Sequence, residues 1–305
     1  TLTAVTLMPR LNPSTVYTAT AADVGIEGSG AGLVSGGTYT VEQLFIGLLL
    51  PSGNDAAIAL THAYRPSTRS TISLMKATAK RLGAVHTVVR NPHGLPNDKQ
   101  VTTVADMALF GNAAIHLREF RKVAHLKTYQ FPGRMPKPGK ARSSYQLQNE
   151  NPLIKHGVTG TLGGKTGYTR KALRTYWGAV KRGDRTLIVV MFGFVGPTYN
   201  YASSLLNWGF ANAGNLEPVG NLPTQVGDRW QTEAVPAATP VAANSPTTEA
   251  SASQHSATQQ AVSTPQTSRG ALIDSRARQA TTWVLFLVPA TILTRRAVRY
   301  RKLLT

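Results

Sequence analysis

Two short stretches carry residues that could do chemistry. Ser52-Gly53-Asn54 sets a hydroxyl and an amide two positions apart, and Lys165-Thr166-Gly167 sets an amine beside a second hydroxyl. Serine and lysine are groups of nucleophilic acyl transfer when a base stands next to the attacking atom. A third stretch, Ser73-Leu-Met-Lys76, also fits a serine-x-x-lysine spacing. It falls inside a helical pattern of Ile72, Met75, Ala79 and Leu82, so it is read as part of an ordinary packed helix.

The elements around these residues decide what they can do. The apolar run Leu44 to Leu50 ends at Pro51, and a proline does not continue a helix. Upstream, Thr40 and Gln43 have the spacing of a capping box, and Val41, Leu44, Phe45 and Leu48 form one apolar face behind it. Asp55 is placed as the N-cap of the next helix, because its carboxylate can accept from an orphan amide. Ser52-Gly53-Asn54 then lies in a tight loop between two buried helices. Such a loop is a rigid mount for two small polar groups, or an ordinary helix–helix turn. Gly163 to Thr169 is the start of a strand with a glycine on either side of Lys165, and Arg174 to Lys181 and Thr186 to Phe194 follow as two more strands. The last is apolar throughout, as a central strand covered on both faces would be.

Between these landmarks, Thr1 to Met8 has the pattern of a buried helix, and the segment to Thr38 is loop and short strand. Helices are expected over Asp55 to Tyr64, Arg69 to Leu82, Val101 to Ala114 and Asn200 to Phe210. Asn91-Pro-His-Gly-Leu is a turn in which His93 is an exposed histidine without an acidic partner. The basic segment Phe120 to Arg142, with Pro132-Gly133 and Pro136 to Gly139, is a long surface loop.

Lys165-Thr-Gly and Ser52-Gly-Asn stand in the order of a known motif set. The flanks agree: Tyr39-Thr-Val-Glu-Gln-Leu, Leu48-Leu-Leu-Pro-Ser-Gly-Asn-Asp-Ala-Ala, Asn91-Pro-His-Gly-Leu, Thr103-Val-Ala-Asp-Met-Ala and Asn149-Glu-Asn-Pro-Leu. From Thr1 to Phe210 the chain resembles the low-molecular-weight penicillin-binding proteins that act as serine-type D-alanyl-D-alanine carboxypeptidases. The resemblance implies an α+β fold of the penicillin-binding protein and β-lactamase type, a helical lobe packed on an antiparallel sheet with its three C-terminal strands present. In that family two strands and a Ser-x-x-Lys sequence come before the helix matched by Thr1 to Met8, so the sequence is expected to start just after the catalytic lysine. With those segments missing, the helix Val41 to Leu50 and the strand Thr186 to Phe194 are expected to expose bulky aliphatics.

Roles follow from the resemblance residue by residue. Ser52 would relay a proton towards the leaving amine, and Asn54 would bond the substrate. Lys165 and Thr166 would hold the terminal carboxylate. Gly167 would leave room for the substrate as an added strand, and the amide of Tyr168 would donate to the oxyanion. The implied partners are a peptidoglycan stem peptide ending in D-Ala-D-Ala and, as inhibitors, β-lactam antibiotics; no cofactor or metal is implied. The alternatives are a non-catalytic cell-surface homologue that binds stem peptides or acts as a scaffold, and a β-lactamase-like hydrolase.

Composition bounds the rest. There is no cysteine, hence no disulfide framework and no thiol chemistry. The net charge of +19 favours anionic partners. Its dispersal, without an aromatic platform or a nucleic-acid-binding motif, speaks against nucleic acid. Residues 1–214 are expected as the catalytic domain and 215–272, rich in Pro, Ala, Thr and Ser, as a disordered stalk. Residues 273–305 are expected as a membrane anchor, with the apolar run Ala280 to Thr294 spanning, or lying in the interface as the alternative, and Arg295 to Lys302 following it. That topology places the protein at a bacterial cell membrane, the catalytic domain outside and the C-terminus in the cytoplasm.

Overall fold

The computed structural model describes residues 1–218, 220 and 282–285. The chain opens with α1 (Leu2–Leu7), every residue of which is buried, and a short 3-10 turn. Strand β1 (Val16–Thr18) and β2 (Thr38–Thr40) pair antiparallel, with α2 (Ala21–Val24) between them. Helix α3 (Val41–Leu49) starts at the expected capping box: Thr40 Oγ1 accepts from the Gln43 amide at 3.2 Å, and Gln43 Oε1 accepts from the Thr40 amide at 3.0 Å. Helices α4 (Asn54–Tyr64), α5 (Thr68–Arg81) and α6 (Val104–His116) follow, the last capped by the Thr103 hydroxyl.

The basic segment after α6 departs from expectation. It is not one long loop but α7 (Arg118–Ala124) and a hairpin of β3 (Thr128–Pro132) and β4 (Ser144–Gln148). Phe131 is buried in this hairpin and stacks on Tyr39 at 5.5 Å, which offsets the turn-forming prolines; 125–127 and 133–143 remain as loop. Helix α8 (Pro152–Lys155) then leads into the main sheet.

That sheet runs β5 (Thr161–Thr169), β6 (Leu173–Arg182), β7 (Arg185–Phe194), with β8 (Thr282–Leu285) parallel to β7. The first three are the expected antiparallel meander, and Arg182-Gly183-Asp184 lies at its second turn, with Gly183 at φ 56°. Helix α9 (Thr198–Asn212) packs on the outer face. Alternation along β7 explains its unbroken apolar run. Ile188 and Val190 face the helical lobe with Trp177 and Ala179, while Leu187, Val189 and Met191 face α9 through Ala202 and Leu206.

Two expectations are overturned. The aliphatics of 41–50 and 187–191 are buried rather than exposed, because α6 and α9 close both faces of the sheet and α4 and α7 pack on α3. The membrane anchor also fails: among the described residues no helix is long and apolar enough to cross a membrane. Within the supposed span, Thr282–Leu285 is a strand paired with Thr186–Val189. Its Thr-Trp-Val-Leu sequence is β-branched and aromatic, which suits a strand, and the apolar run falls short of the ~20 residues a span needs. The membrane partner, the two-sided topology and the cell-membrane location deduced from that span fall with it. The remainder of Ala280 to Thr294, and the stalk at 232–267, lie outside the described residues.

Candidate active site

The loop at Ser52 is held from three sides. The Gly53 amide donates to the Gly47 carbonyl at 2.9 Å, folding the turn back on α3, and the Asn54 amide donates to the Ser29 carbonyl at 2.7 Å. Glycine at position 53 is a matter of space. A Cβ there would stand 2.7 Å from the Ala31 nitrogen and from Asp55 Oδ1, and 2.9 Å from the Gly47 oxygen. Gly47 likewise lets α3 approach closely, since a Cβ would meet that of Ala31 at 2.7 Å.

Asp55 is not the cap of α4. Gly53 occupies the N-cap position, and Asp55 lies inside the first turn. Its carboxylate instead gathers four backbone amides: Ala31 at 2.7 Å, Ala56 at 2.8 Å, Gly32 at 2.9 Å and Leu33 at 3.0 Å. Three of them belong to the loop before β2, so Asp55 ties that loop under the serine turn.

Ser52 itself sits at φ 65°, a left-handed conformation that costs a non-glycine residue about 1–2 kcal/mol. Ser52→Gly and Ser52→Ala both remove the hydroxyl, but only alanine keeps the strain. The glycine variant is therefore expected to unfold at higher urea than the alanine variant, by about 1 kcal/mol, the reverse of the usual order. Alanine as the more stable of the two would show that the turn is unstrained.

Lys165 faces this turn from β5. Its ammonium donates to the Thr166 carbonyl at 2.9 Å. Burial pushes its pKa down to about 8, against a smaller upward pull from Glu150. Lys165 pairs across the sheet with Trp177, whose Nε1 donates to the Thr1 hydroxyl at 2.7 Å, and Trp177 fills the space above Gly111. Gly167 lies opposite Thr175, and a Cβ there would stand 2.5 Å from the threonine hydroxyl. Strand β5 pairs only with β6, so its outer edge is open among the described residues.

Ser52, Asn54, Lys165, Thr166, Gly167 and Tyr168 all line one groove of about 1190 Å³. Asn54 is buried and donates to the Glu27 carbonyl at 2.8 Å, which fixes its amide plane. Ser73 and Lys76 are exposed on α5 and do not line the groove. His93 does line it: the expected exposed turn histidine is half-buried, its Nδ1 accepts from the Leu95 amide at 3.2 Å, and burial lowers its pKa. The motif Asn91-Pro-His-Gly-Leu was the available signal for that wall. Tyr199, stacked on His156 at 3.7 Å, also lines the groove and had no signal in its sequence neighbourhood.

The chain is similar to D-alanyl-D-alanine carboxypeptidases and to a DD-transpeptidase. Residues 9–195 match the peptidase S11 family model, described as D-alanyl-D-alanine carboxypeptidase. The chain is 35% identical over 217 residues to the D-alanyl-D-alanine carboxypeptidase DacB2 of Mycobacterium tuberculosis, covering 69% of this chain and 72% of that one. It is 33% identical over 190 residues to DacC of Escherichia coli, covering 61% of this chain and 45% of the length of that enzyme. A crystal structure of a penicillin-binding protein homolog from Mycobacterium tuberculosis superposes with a TM-score of 0.64 at 32% identity, over 72% of this chain and 81% of the other. A mutant of the Streptomyces K15 DD-transpeptidase gives 0.63 at 27% identity, over 69% and 85%.

Proposed function

The chain belongs to the D-alanyl-D-alanine carboxypeptidase family, and on that premise we propose that its groove binds and trims peptides ending in D-Ala-D-Ala. The observation that supports this most is the meeting of Ser52, Asn54 and Lys165-Thr166-Gly167 along the open edge of β5. A peptide can add to such an edge as a further strand, bonded through its main chain. Its terminal carboxylate then meets the Lys165 ammonium and the Thr166 hydroxyl, and the Tyr168 amide donates to the carbonyl oxygen under attack. Ser52 relays the proton to the leaving amine, and the fixed amide of Asn54 bonds the substrate.

The attacking serine and its lysine base come, in this reading, from a Ser-x-x-Lys sequence N-terminal to Thr1, forming an acyl-enzyme that water then hydrolyses. Residues 1–214 are the catalytic part. Residues 1–305 alone are expected not to label with fluorescent penicillin, and the same chain joined to an upstream Ser-x-x-Lys segment is expected to label. Labelling of 1–305 that disappears in Ser73→Ala would overturn this assignment. A non-catalytic peptide-binding homologue would label in neither form.

The lowered pKa of Lys165 gives the groove a pH dependence with two opposite signs. Its charge is lost as pH rises through about 8, so affinity for a carboxylate-ended peptide falls above that pH. Stability moves the other way. Between about 8 and the ordinary value of 10.5 the unfolded lysine holds a proton that the folded one has released, so stability rises with pH over that window. Peptide titrations from pH 7 to 10 check the first, and urea unfolding over the same range checks the second. Lys165→Arg is expected to abolish the affinity change, since arginine keeps its charge throughout.

A further inference from the structure

Away from the groove, one helix gathers cations that nothing in the fold answers. From Ala56 to Asn97 the chain carries six lysines and arginines and no carboxylate. Helix α5 lies in this stretch, with Thr71, Met75 and Thr78 on its buried stripe. Arg69, Ser73, Lys76 and Lys80 recur at i, i+4, i+7 and i+11, and all four are exposed on the opposite face. Ser73 and Lys76, which the groove does not use, thus belong to a ridge about 16 Å long.

Folding gives no reason for this ridge. Arg69 stands in the first turn of α5, where the helix dipole disfavours a cation. Lys76 and Lys80 are like charges one turn apart, which works against the helix. Other exposed lysines have carboxylates: Lys122 pairs with Glu42, and Lys155 with Glu150. Among the described residues none of the three ridge cations is in an ion pair. Met75 contributes to the groove wall from the buried stripe, so the ridge faces away from the groove. A partner held on the ridge leaves the groove open.

The rest of the helix surface narrows the partner. Exposed positions of α5 hold only Arg, Lys, Ser and Ala, whereas a helix lying in a bilayer interface needs a bulky apolar face. No aromatic residue occurs in α5, so bases of a single-stranded nucleic acid find nothing to stack on. A flexible chain of phosphodiesters without bases needs neither. We propose that Arg69, Ser73, Lys76 and Lys80 form a docking ridge for a linear, base-free polyphosphodiester of the polyol phosphate class. Each cation takes one phosphate, and the Ser73 hydroxyl donates to a phosphate oxygen between them.

Calorimetric titration of residues 1–305 with a synthetic glycerol phosphate decamer reads the contact directly. Affinity is expected to fall about tenfold between 50 mM and 200 mM salt, as three released counterions require. Arg69→Gln/Lys76→Gln/Lys80→Gln is expected to weaken binding about tenfold at the lower salt. Arg118→Gln/Lys127→Gln/Lys140→Gln removes the same charge from exposed positions elsewhere and is expected to change it less than about twofold. Ser73→Glu adds a carboxylate to the ridge without removing a cation, and is expected to weaken binding about fivefold. All these side chains are exposed, so the fold survives their replacement, and circular dichroism melts matching the parent check that. Equal losses in the two triple variants would reduce the effect to net charge and overturn the ridge, as would no binding of the decamer. A deoxyadenosine decamer that binds as tightly overturns the base-free class. Vesicles of dioleoylphosphatidylglycerol retained through the same three cations assign the ridge to a bilayer and overturn it too.

Discussion

Lys165→Ala, in the chain joined to an upstream Ser-x-x-Lys segment, is expected to slow acylation by benzylpenicillin about 100- to 1000-fold, the usual cost of removing one preorganised electrostatic contact from a reacting centre. The lysine is held in place. It sits on an edge strand whose register with Trp177 is fixed by the hairpin, and its ammonium is anchored on the Thr166 carbonyl. Its partial burial weakens screening by water, which strengthens its pull on a carboxylate and lowers its own pKa at the same time. Alanine removes the charge without touching the main chain of β5, so the Tyr168 amide stays in place and some reaction survives. The second-order rate constant of acylation, measured for both proteins at pH 7, decides the matter. A loss below about threefold would mean that the carboxylate is held elsewhere in the groove. Lys165→Arg tests charge against shape. Arginine keeps the charge but not the compact ammonium, and recovery of less than half of the lost rate constant would assign the role to geometry.

The parts of this molecule visible in its sequence are those encoded by neighbours. The Thr40–Gln43 box is two side chains satisfying each other three residues apart, so it could be read directly and the structure has it. The run Thr186 to Phe192 announced a strand with two covered faces because every position in it is apolar or small, whichever way it points. What escaped depends on distant partners. The Asp55 carboxylate resembled a local cap by type, while three of its four amides lie 22 to 24 residues upstream. The β3–β4 hairpin was hidden by prolines and lysines in its loop, and only the burial of Phe131 against Tyr39 gives it away. Hydropathy made Ala280 to Thr294 a membrane span, yet Thr282–Leu285 pairs with β7, a choice that depends on an available strand edge. At the site, the identities of Ser52, Asn54 and Lys165 to Tyr168 were legible as motifs. The left-handed backbone of Ser52 was not, because serine carries no mark of it.

Asp55→Ala is expected to cost about 4 kcal/mol of stability or more, the largest effect of any single substitution near the groove. Asp55 is 5% exposed, and its carboxylate accepts four backbone amides at 2.7 to 3.0 Å. Each buried donor left without a partner costs about 1–3 kcal/mol, and water entering the space of the lost side chain returns part of it. Asp55→Asn is the more informative change. Its amide oxygen can still serve Ala31 and Ala56, but its NH₂ group then points at the amides of Gly32 and Leu33, donor against donor. The 28–34 loop is expected to lift from α4, and that loop holds the Ser29 carbonyl that receives the Asn54 amide. The backbone of Asn54 would loosen with it, so Asp55→Asn should lower both unfolding free energy and peptide affinity although Asp55 touches no substrate. Urea unfolding and calorimetric binding of a D-Ala-D-Ala peptide measure the two losses on the same protein. If Asp55→Asn weakens stability by more than 2 kcal/mol while peptide affinity stays unchanged, the loop and the serine turn are independent, and the positioning role assigned to Asp55 is wrong.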